Sequence, residues 1–521
     1  MEGGGCMEYA VIINAVNIAT QEEKRFYFSG GKGFTSSPSS VPANTFFDPR
    51  LASPYTARRD LFDKSTTYGV ISNGGGSISL QNIDGHIDEI VIDYAINGRE
   101  IEIYTTDIVQ GDGSPSKQFP DDYVLVHRAI ANKAVANDKE VTIELSDKVK
   151  ILDNPLLQNK YLGNNSLPSG TEGLEDDLKD RRKPRLYGKV FNIAPYYVNT
   201  SRLIYQVSDK PCTVSAVYSR GIAWESEGNY TAFADLQNDA LEPNQSKYKV
   251  YSGVEGTFFR LGSIPNGTLT CDAETTEKKA SELIKQVALD VGLLSTELST
   301  SDFTAMSAIA YQCGVWVTED RTALDVITEL ASAIGAYVSF DYQGVLRIGR
   351  LEVPSAESIS FYKDQYMTFS LESTSDTDDG IPAKKLTLNY ARNYTVQDDL
   401  DGTAATTERV SFSKLEYRKV VKENSLSSTL YKDAPEIEIS TCLIDNSDAA
   451  LECERRLDQL QQRRLHVISV RVNREVFYSV DINSGVKLYH DRFGLENGKI
   501  FCCIGITYNF LINEMTLRLW G

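Results

Sequence analysis

Apolar and β-branched residues in the first 150 or so positions fall into short alternating runs separated by turn residues, a period of two that predicts strands. The run from Ile90 to Ile96 meets Asn97-Gly98 and resumes at Glu100 to Tyr104. Asn-Gly supplies the positive φ angles of a two-residue turn, so the spacing predicts a β-hairpin here. From Phe28 to Pro54 the chain is dense in Gly, Ser and Pro, which predicts a long arm or loop of the kind that reaches a neighbouring subunit.

From Asn154 to Arg185 the alternation dissolves into Gly, Asn, Ser and charge, with Glu175-Asp176-Asp177 followed by Lys179, Arg181, Arg182, Lys183 and Arg185. A boundary falls there. Strand character returns over Leu186 to Val198, Leu203 to Val207 and Thr213 to Tyr218.

Between positions 275 and 355 the period changes. Ala280, Leu283, Ile284, Val287, Ala288 and Val291 lie three, four and seven apart, on one face of a helix. A second helix is predicted from Thr322 to Ile334, stopped by Gly335 and feeding a hairpin of Tyr337 to Phe340 and Val345 to Leu351. The acidic, Thr-rich segment from Ser370 to Gly402 reads as hairpin loops around a strand at Lys385 to Tyr390. A last helix over Asp445 to Arg464 buries Ala450, Cys453, Leu457 and Leu460, and strands with a tight turn at Asn497-Gly498 close the chain. No internal repeat is visible.

The pattern is that of an α+β, β-rich chain of several modules. The expected divisions are an N-terminal strand and arm over 1–55, a β-rich module over 56–160, a charged linker over 161–185 and a β-rich domain over 186–262. A mixed αβ domain over 263–355 and a β-rich module with one helix over 356–521 complete the chain. Its length of 521 residues suits three or four folded units.

Charge narrows the function. The 53 basic against 72 acidic residues give a net charge of −19, which argues against a sequence-independent grip on nucleic-acid phosphates. The same charge suits the lining of a conduit through which DNA slides without sticking. No run of about 18 apolar residues is present to predict a membrane-spanning helix. The N-terminus lacks a basic leader, so no export signal is expected, and the Asn-x-Ser/Thr sequences at Asn199, Asn229 and Asn266 read as chance matches. Eight scattered cysteines predict reduced, mostly buried thiols.

Candidate chemistry is sparse. There is no Gly-x-Ser-x-Gly elbow, and His86, His127, His466 and His490 form no zinc-binding helix; His466 is the one expected to be buried. Gly30-Gly31-Lys32-Gly33 suggests a phosphate loop, but the spacing is wrong and Phe34 stands where a hydroxyl is needed. Asp376-Thr377-Asp378-Asp379-Gly380 and Asp398-Asp399-Leu400-Asp401-Gly402 resemble calcium loops in composition without the EF-hand register, and read as solvated loops. The basic run Lys179 to Arg185, flanked by acids, reads as a charged linker rather than an anion site. Trp224, Trp316 and Trp520 could stack on sugars or fill a core. Cys442, Cys453, Cys502 and Cys503 show no Cys-x-x-Cys spacing, and a strand would put Cys502 and Cys503 on opposite faces. No catalytic, cofactor-binding or metal-binding residue is assigned.

Three stretches carry a resemblance. They are Lys183-Pro184-Arg185-Leu186-Tyr187-Gly188-Lys189-Val190 running on to Val217-Tyr218-Ser219-Arg220-Gly221; Thr322 to Leu351 with its Gly335-Ala336-Tyr337 junction and Gly344-Val345-Leu346-Arg347-Ile348-Gly349; and Arg492-Phe493-Gly494-Leu495, Gly498 and the closing Leu517-Arg518-Leu519-Trp520-Gly521. In order and spacing the chain from Pro54 onward resembles the baseplate or tail-tip hub proteins of phage tails, including those of non-contractile phages and gene-transfer particles.

The resemblance implies tube-like β-barrel modules at 56–160 and 356–521 and a non-enzymatic structural protein. It implies a homotrimer in the virion tail tip, assembled in the bacterial host cytoplasm and serving tail assembly and genome ejection. The implied partners are a tail tube or distal tail protein, the tape-measure protein, a central fibre or tip protein, and DNA passing without specific binding. Some relatives carry a lytic domain or an iron-sulfur cluster, and this sequence reproduces neither pattern, so no cofactor is expected. The competing reading is a carbohydrate-binding protein or glycoside hydrolase of a virion or cell surface, which would need a cleft with two facing carboxylates.

Overall fold

The computed structural model describes residues 8–53, 56–61, 68–71, 76–373, 382–400, 406–460, 465–473, 480–509 and 514–521. The chain is α+β and β-rich.

Two large sheets dominate. The N-terminal sheet runs in the order Glu23–Ser29, Glu8–Asn17, Glu100–Thr106, Val124–Ala136, Glu140–Ser146, Ser77–Gln81 and Leu51–Ser53, with Tyr94–Ala95 paired to the end of Glu8–Asn17. The C-terminal sheet runs Ile359–Phe361, Gly485–Leu488, Lys499–Asn509, Glu514–Trp520, His466–Asn473 and Tyr366–Ser373. Both are open half-barrels.

Alternation explains how they meet. Val11, Ile13, Ile101 and Ile103 from the first sheet share one buried cluster with Ile468, Val470, Ile506, Leu517 and Leu519 from the second. The N-terminal and C-terminal parts of the chain thus close on one core. They are also stitched through the backbone, because Thr56–Asp60 pairs antiparallel with Lys499–Asn509. On the other face of the C-terminal sheet, Val467, Cys502, Ile504 and Trp520 form a separate cluster with Leu61 and Tyr337.

Residues 185–274 build a two-sheet sandwich. Val190, Ile193, Val214 and Val217 of one sheet pack on Tyr205, Val207, Val250 and Phe259 of the other. The charged stretch 161–185 lies along its outer side, with Tyr161 and Leu178 buried beside Val198, Ile204 and Phe258.

The helical reading of 275–355 agrees with the structure. Helices Ala280–Asp290 and Ala323–Ala333 pack together, and Leu283, Ile284, Val287, Val326, Ile327 and Leu330 are buried. Thr322 caps the second helix by accepting from the Asp325 amide, while the Thr322 amide donates to the Asp325 carboxylate. Gly335, at φ +62°, turns the chain into the hairpin Ala336–Phe340 and Leu346–Arg350.

Other expectations are corrected. There is no hairpin across 90–104. Glu89–Ile92 is a helical turn, Tyr94–Ala95 pairs with Glu8–Asn17, and Glu100–Thr106 lies between Glu8–Asn17 and Val124–Ala136. Local turn chemistry is real, since Gly98 has φ +75°, but its amide bonds to Ala131 O and longer-range pairing decides the strand partners.

The Gly/Ser/Pro-rich stretch after Phe28 does not reach outward as an arm. Phe34–Thr35 pairs with Phe46–Phe47, and Phe34 and Phe47 stack at 4.4 Å in an aromatic cluster with Phe119 and Tyr123. Burying those rings holds the segment on its own sheet.

The last helix ends earlier than its periodicity predicts: Asn446–Arg455 gives way to a π-helical turn at Arg456–Leu460, and 461–464 lie outside the described residues. The strand Lys385–Tyr390 is the centre of a three-stranded sheet, antiparallel to Arg418–Glu423 and parallel to Glu436–Ser440. Three short helices, Thr300–Met306, Thr407–Ser413 and Ser425–Leu430, escaped the periodicity reading. Each is one or two turns long, too short to set a period.

Candidate functional site

Sheet edges are the chemically unfinished parts of this molecule, since an edge strand leaves a row of amides and carbonyls without ladder partners. The edges of the two large sheets differ in kind.

At Glu23–Ser29 the edge begins with Glu23, Lys24 and Arg25, all exposed, and its far end is covered where the Ser29 amide donates to Asp48 O and the Asp48 amide donates to Tyr27 O. Charge and cover are what protect an edge from adventitious pairing.

Tyr366–Ser373 is the opposite case. It pairs with His466–Asn473 on one side only, and among the described residues no strand pairs with its other side. Its side chains include Met367, 47% exposed, and Leu371, 42% exposed. Phe369 packs against the core shared by the two sheets, and its outer surface continues the patch: its ring stacks on His490 at 4.3 Å and on Phe493 at 5.6 Å. Beside it Tyr362 stacks on Tyr489 at 4.6 Å. Aromatic residues and Met are enriched at the buried centres of protein interfaces. An edge strand of eight residues, with one side without a ladder partner among the described residues and such side chains along it, leaves backbone donors and acceptors open at an apolar surface.

The residues singled out by sequence do not converge on a chemical site. Gly30–Gly33 leads into a strand rather than a helix, and the Glu8 carboxylate lies against Gly31, a poor setting for phosphate. Asp376–Gly380 lies outside the described residues, as do Asp401 and Gly402. Asp399 instead binds its own chain, accepting from Thr268 Oγ1 at 3.0 Å and, through its backbone oxygen, from Arg220 Nε at 2.8 Å.

Four of the five cations of the basic run are paired within the chain. Lys179 pairs with Glu175, Arg182 with Asp320, Lys183 with Glu172 at 2.6 Å, and Arg185 with Asp209 and Asp290. Trp316 donates its indole N–H to Val207 O at 3.0 Å and Trp520 is buried, so both are structural; Trp224 packs against the sandwich core.

His127, rather than His466, is the buried histidine. Burial, and then the Arg59 charge, depress its pKa to about 3, so it is neutral under ordinary conditions. Its strand is central in the sheet, whereas His466 begins its strand and is half-buried.

Cys502 and Cys503 occupy the clusters on opposite faces of the C-terminal sheet, as a strand dictates. Among the described residues no three His, Cys, Asp or Glu side chains are grouped to hold a metal ion, and no helix is long and apolar enough to cross a membrane.

No family model matches the chain, and no curated protein matches it in sequence. Solved structures similar to it include tail proteins and a chain of a gene-transfer-agent virion. A tail protein from Neisseria meningitidis MC58 is 9% identical over 98% of this chain and 96% of its own, with a TM-score of 0.41. The tail protein of prophage MuSo2 from Shewanella oneidensis is 10% identical over 99% and 98%, also at 0.41. A chain from the virion of a native gene transfer agent particle is 10% identical over 71% of this chain and 91% of its own, at 0.42.

Proposed function

We propose that the chain is a structural hub subunit of a bacteriophage tail tip, a homotrimer that joins the tail tube to the distal tip and fibres. The observation that carries this reading is the open, apolar-fringed edge strand Tyr366–Ser373 of the C-terminal sheet, in contrast to the charged and covered edge Glu23–Ser29 of the N-terminal sheet. An edge left open where another is protected is available to a neighbouring chain, and a symmetric assembly of identical subunits is one way to fill it.

The net charge of −19 supports the second half of the reading, a channel that conducts DNA without binding it. The resemblance of Lys183–Val190, Thr322–Leu351 and the C-terminal run to hub proteins supports it independently. On this reading the chain is not an enzyme. It resides in the virion, is assembled in the host cytoplasm, and has the tube or distal tail protein, the tape-measure protein and the central fibre as neighbours.

Mass measurement of the purified chain, with electron microscopy of whole particles, tests the proposal. A three-fold ring at the distal end of a tail is expected. A monomer at all concentrations that is absent from every particle would overturn it.

A further inference from the structure

The chain contains five methionines, of which Met306, Met367 and Met515 lie among the described residues. Met306 is buried in the core of the mixed αβ region, and Met515 in the core shared by the two large sheets. Met367 alone of the three is exposed, and it stands on the open edge strand Tyr366–Ser373.

The backbone sets its position. Pairing with His466–Asn473 slips by one residue here, Tyr366 facing Val472 and Thr368 facing Arg471, so Met367 faces no residue of the neighbouring strand. A residue inserted in this way bends its strand and re-aims its side chain. Together with exposed Leu371, and with Phe369 stacked on His490 and Phe493, Met367 makes up the apolar fringe of the edge. A thioether suits such a fringe because it is flexible and polarisable and fits an irregular partner surface. Unlike the Leu and Phe side chains beside it, a thioether is converted by a mild oxidant from an apolar group to a polar one.

We infer that Met367 is a peroxide-sensitive switch: oxidation of its thioether to the sulfoxide in the unassembled chain weakens association through the edge Tyr366–Ser373. The inference rests on the reading that identical subunits associate through this edge. The thioether sulfur attacks one oxygen of hydrogen peroxide. An S–O bond forms, the O–O bond breaks, and the second oxygen leaves as water with both protons; sulfur gives up two electrons and peroxide takes them. The sulfoxide oxygen binds water when exposed, and covering it with an apolar partner surface leaves it without a donor. Once subunits have joined, the same contact shields the thioether, so oxidation acts before assembly and not after.

The test treats the full chain with dilute hydrogen peroxide, quenches with free methionine, and reads the products by peptide mass mapping and sedimentation velocity. The peptide carrying Met367 should gain one oxygen while those carrying Met306 and Met515 stay unmodified. Self-association should weaken about tenfold, the effect of burying one polar group without a partner. A methionine sulfoxide reductase should restore it. Met367→Leu keeps an apolar side chain with no sulfur, and its association constants before and after peroxide should agree, which separates the switch from damage elsewhere. Oxidation of all three methionines at similar rates, association unchanged after full conversion of Met367, or an equal peroxide response in M367L would overturn the inference. An untreated chain that never self-associates would instead overturn the assembly reading, and the switch with it.

Discussion

Glu452, on the last helix, forms an ion pair with Arg350, at the end of the strand Leu346–Arg350, and the carboxylate has no exposure to solvent. Arg455 Nη2 at 2.9 Å and Arg456 Nε at 2.6 Å reach the same carboxylate, and Arg456 also donates to Ser332 O at the end of the helix Ala323–Ala333. One residue thereby ties the mixed αβ region to the segment leading into the C-terminal sheet. Gly335 sits against it, and a Cβ there would collide with Arg455 and Glu452.

Removing that carboxylate would leave three guanidinium groups without their shared partner. Glu452→Gln is expected to destabilise the fold by about 3–5 kcal/mol, as for other broken buried pairs. Burial raises the Glu452 pKa, but Arg456, Arg455 and Arg350 outweigh it and hold it at about 2. A depressed carboxylate stabilises above its ordinary value and loses that contribution as pH falls from about 4.5 toward 2. Urea unfolding at pH 7 and pH 3.5 should show the gap between wild type and E452Q narrowing in acid.

His127 gives the second pH signature. Its folded pKa of about 3 lies below the ordinary 6.5, so the unfolded chain takes up a proton that the folded chain refuses. Its contribution is complete above pH 6.5 and declines by about 1.4 kcal/mol per unit as pH drops toward 3. His127→Gln should flatten the stability profile between pH 6.5 and 5. Identical slopes for the two proteins would assign the dependence elsewhere.

The edge strand predicts a separation of assembly from stability. Met367→Lys with Leu371→Lys places two charges on the open edge, where both side chains are exposed. Self-association measured by sedimentation velocity should fall sharply, while the melting temperature stays near wild type because surface changes are worth within about 0.5 kcal/mol.

The thiols should be silent in the folded chain. Cys212, Cys271, Cys313, Cys442, Cys453, Cys502 and Cys503 are unpaired and buried. Burial pushes Cys212 and Cys453 up to about 11 and Cys502 to about 12, away from the reactive thiolate. Iodoacetamide followed by peptide mass mapping should modify none of these seven until denaturant is added.

What could be read from the sequence alone is what depends on neighbours in the chain. The helix from Ala323 to Ala333 carries its own cap at Thr322 and Asp325, its own apolar face and its own stop at Gly335, so periodicity and capping identify it almost to the residue. The same holds for the hairpin that follows and for the opposite faces of Cys502 and Cys503. The tertiary structure decided everything that joins distant segments. Ile90 to Ile96 carried the pattern of a strand and Asn97-Gly98 the chemistry of a hairpin, yet the better partner for Glu100–Thr106 was Glu8–Asn17, ninety residues away. Thr56–Asp60 entering the C-terminal sheet, the core common to both large sheets and the burial of His127 leave no local trace. Local periodicity records which face of an element is buried, while the choice of what buries it is made by long-range packing, where many alternative apolar surfaces would satisfy the same pattern.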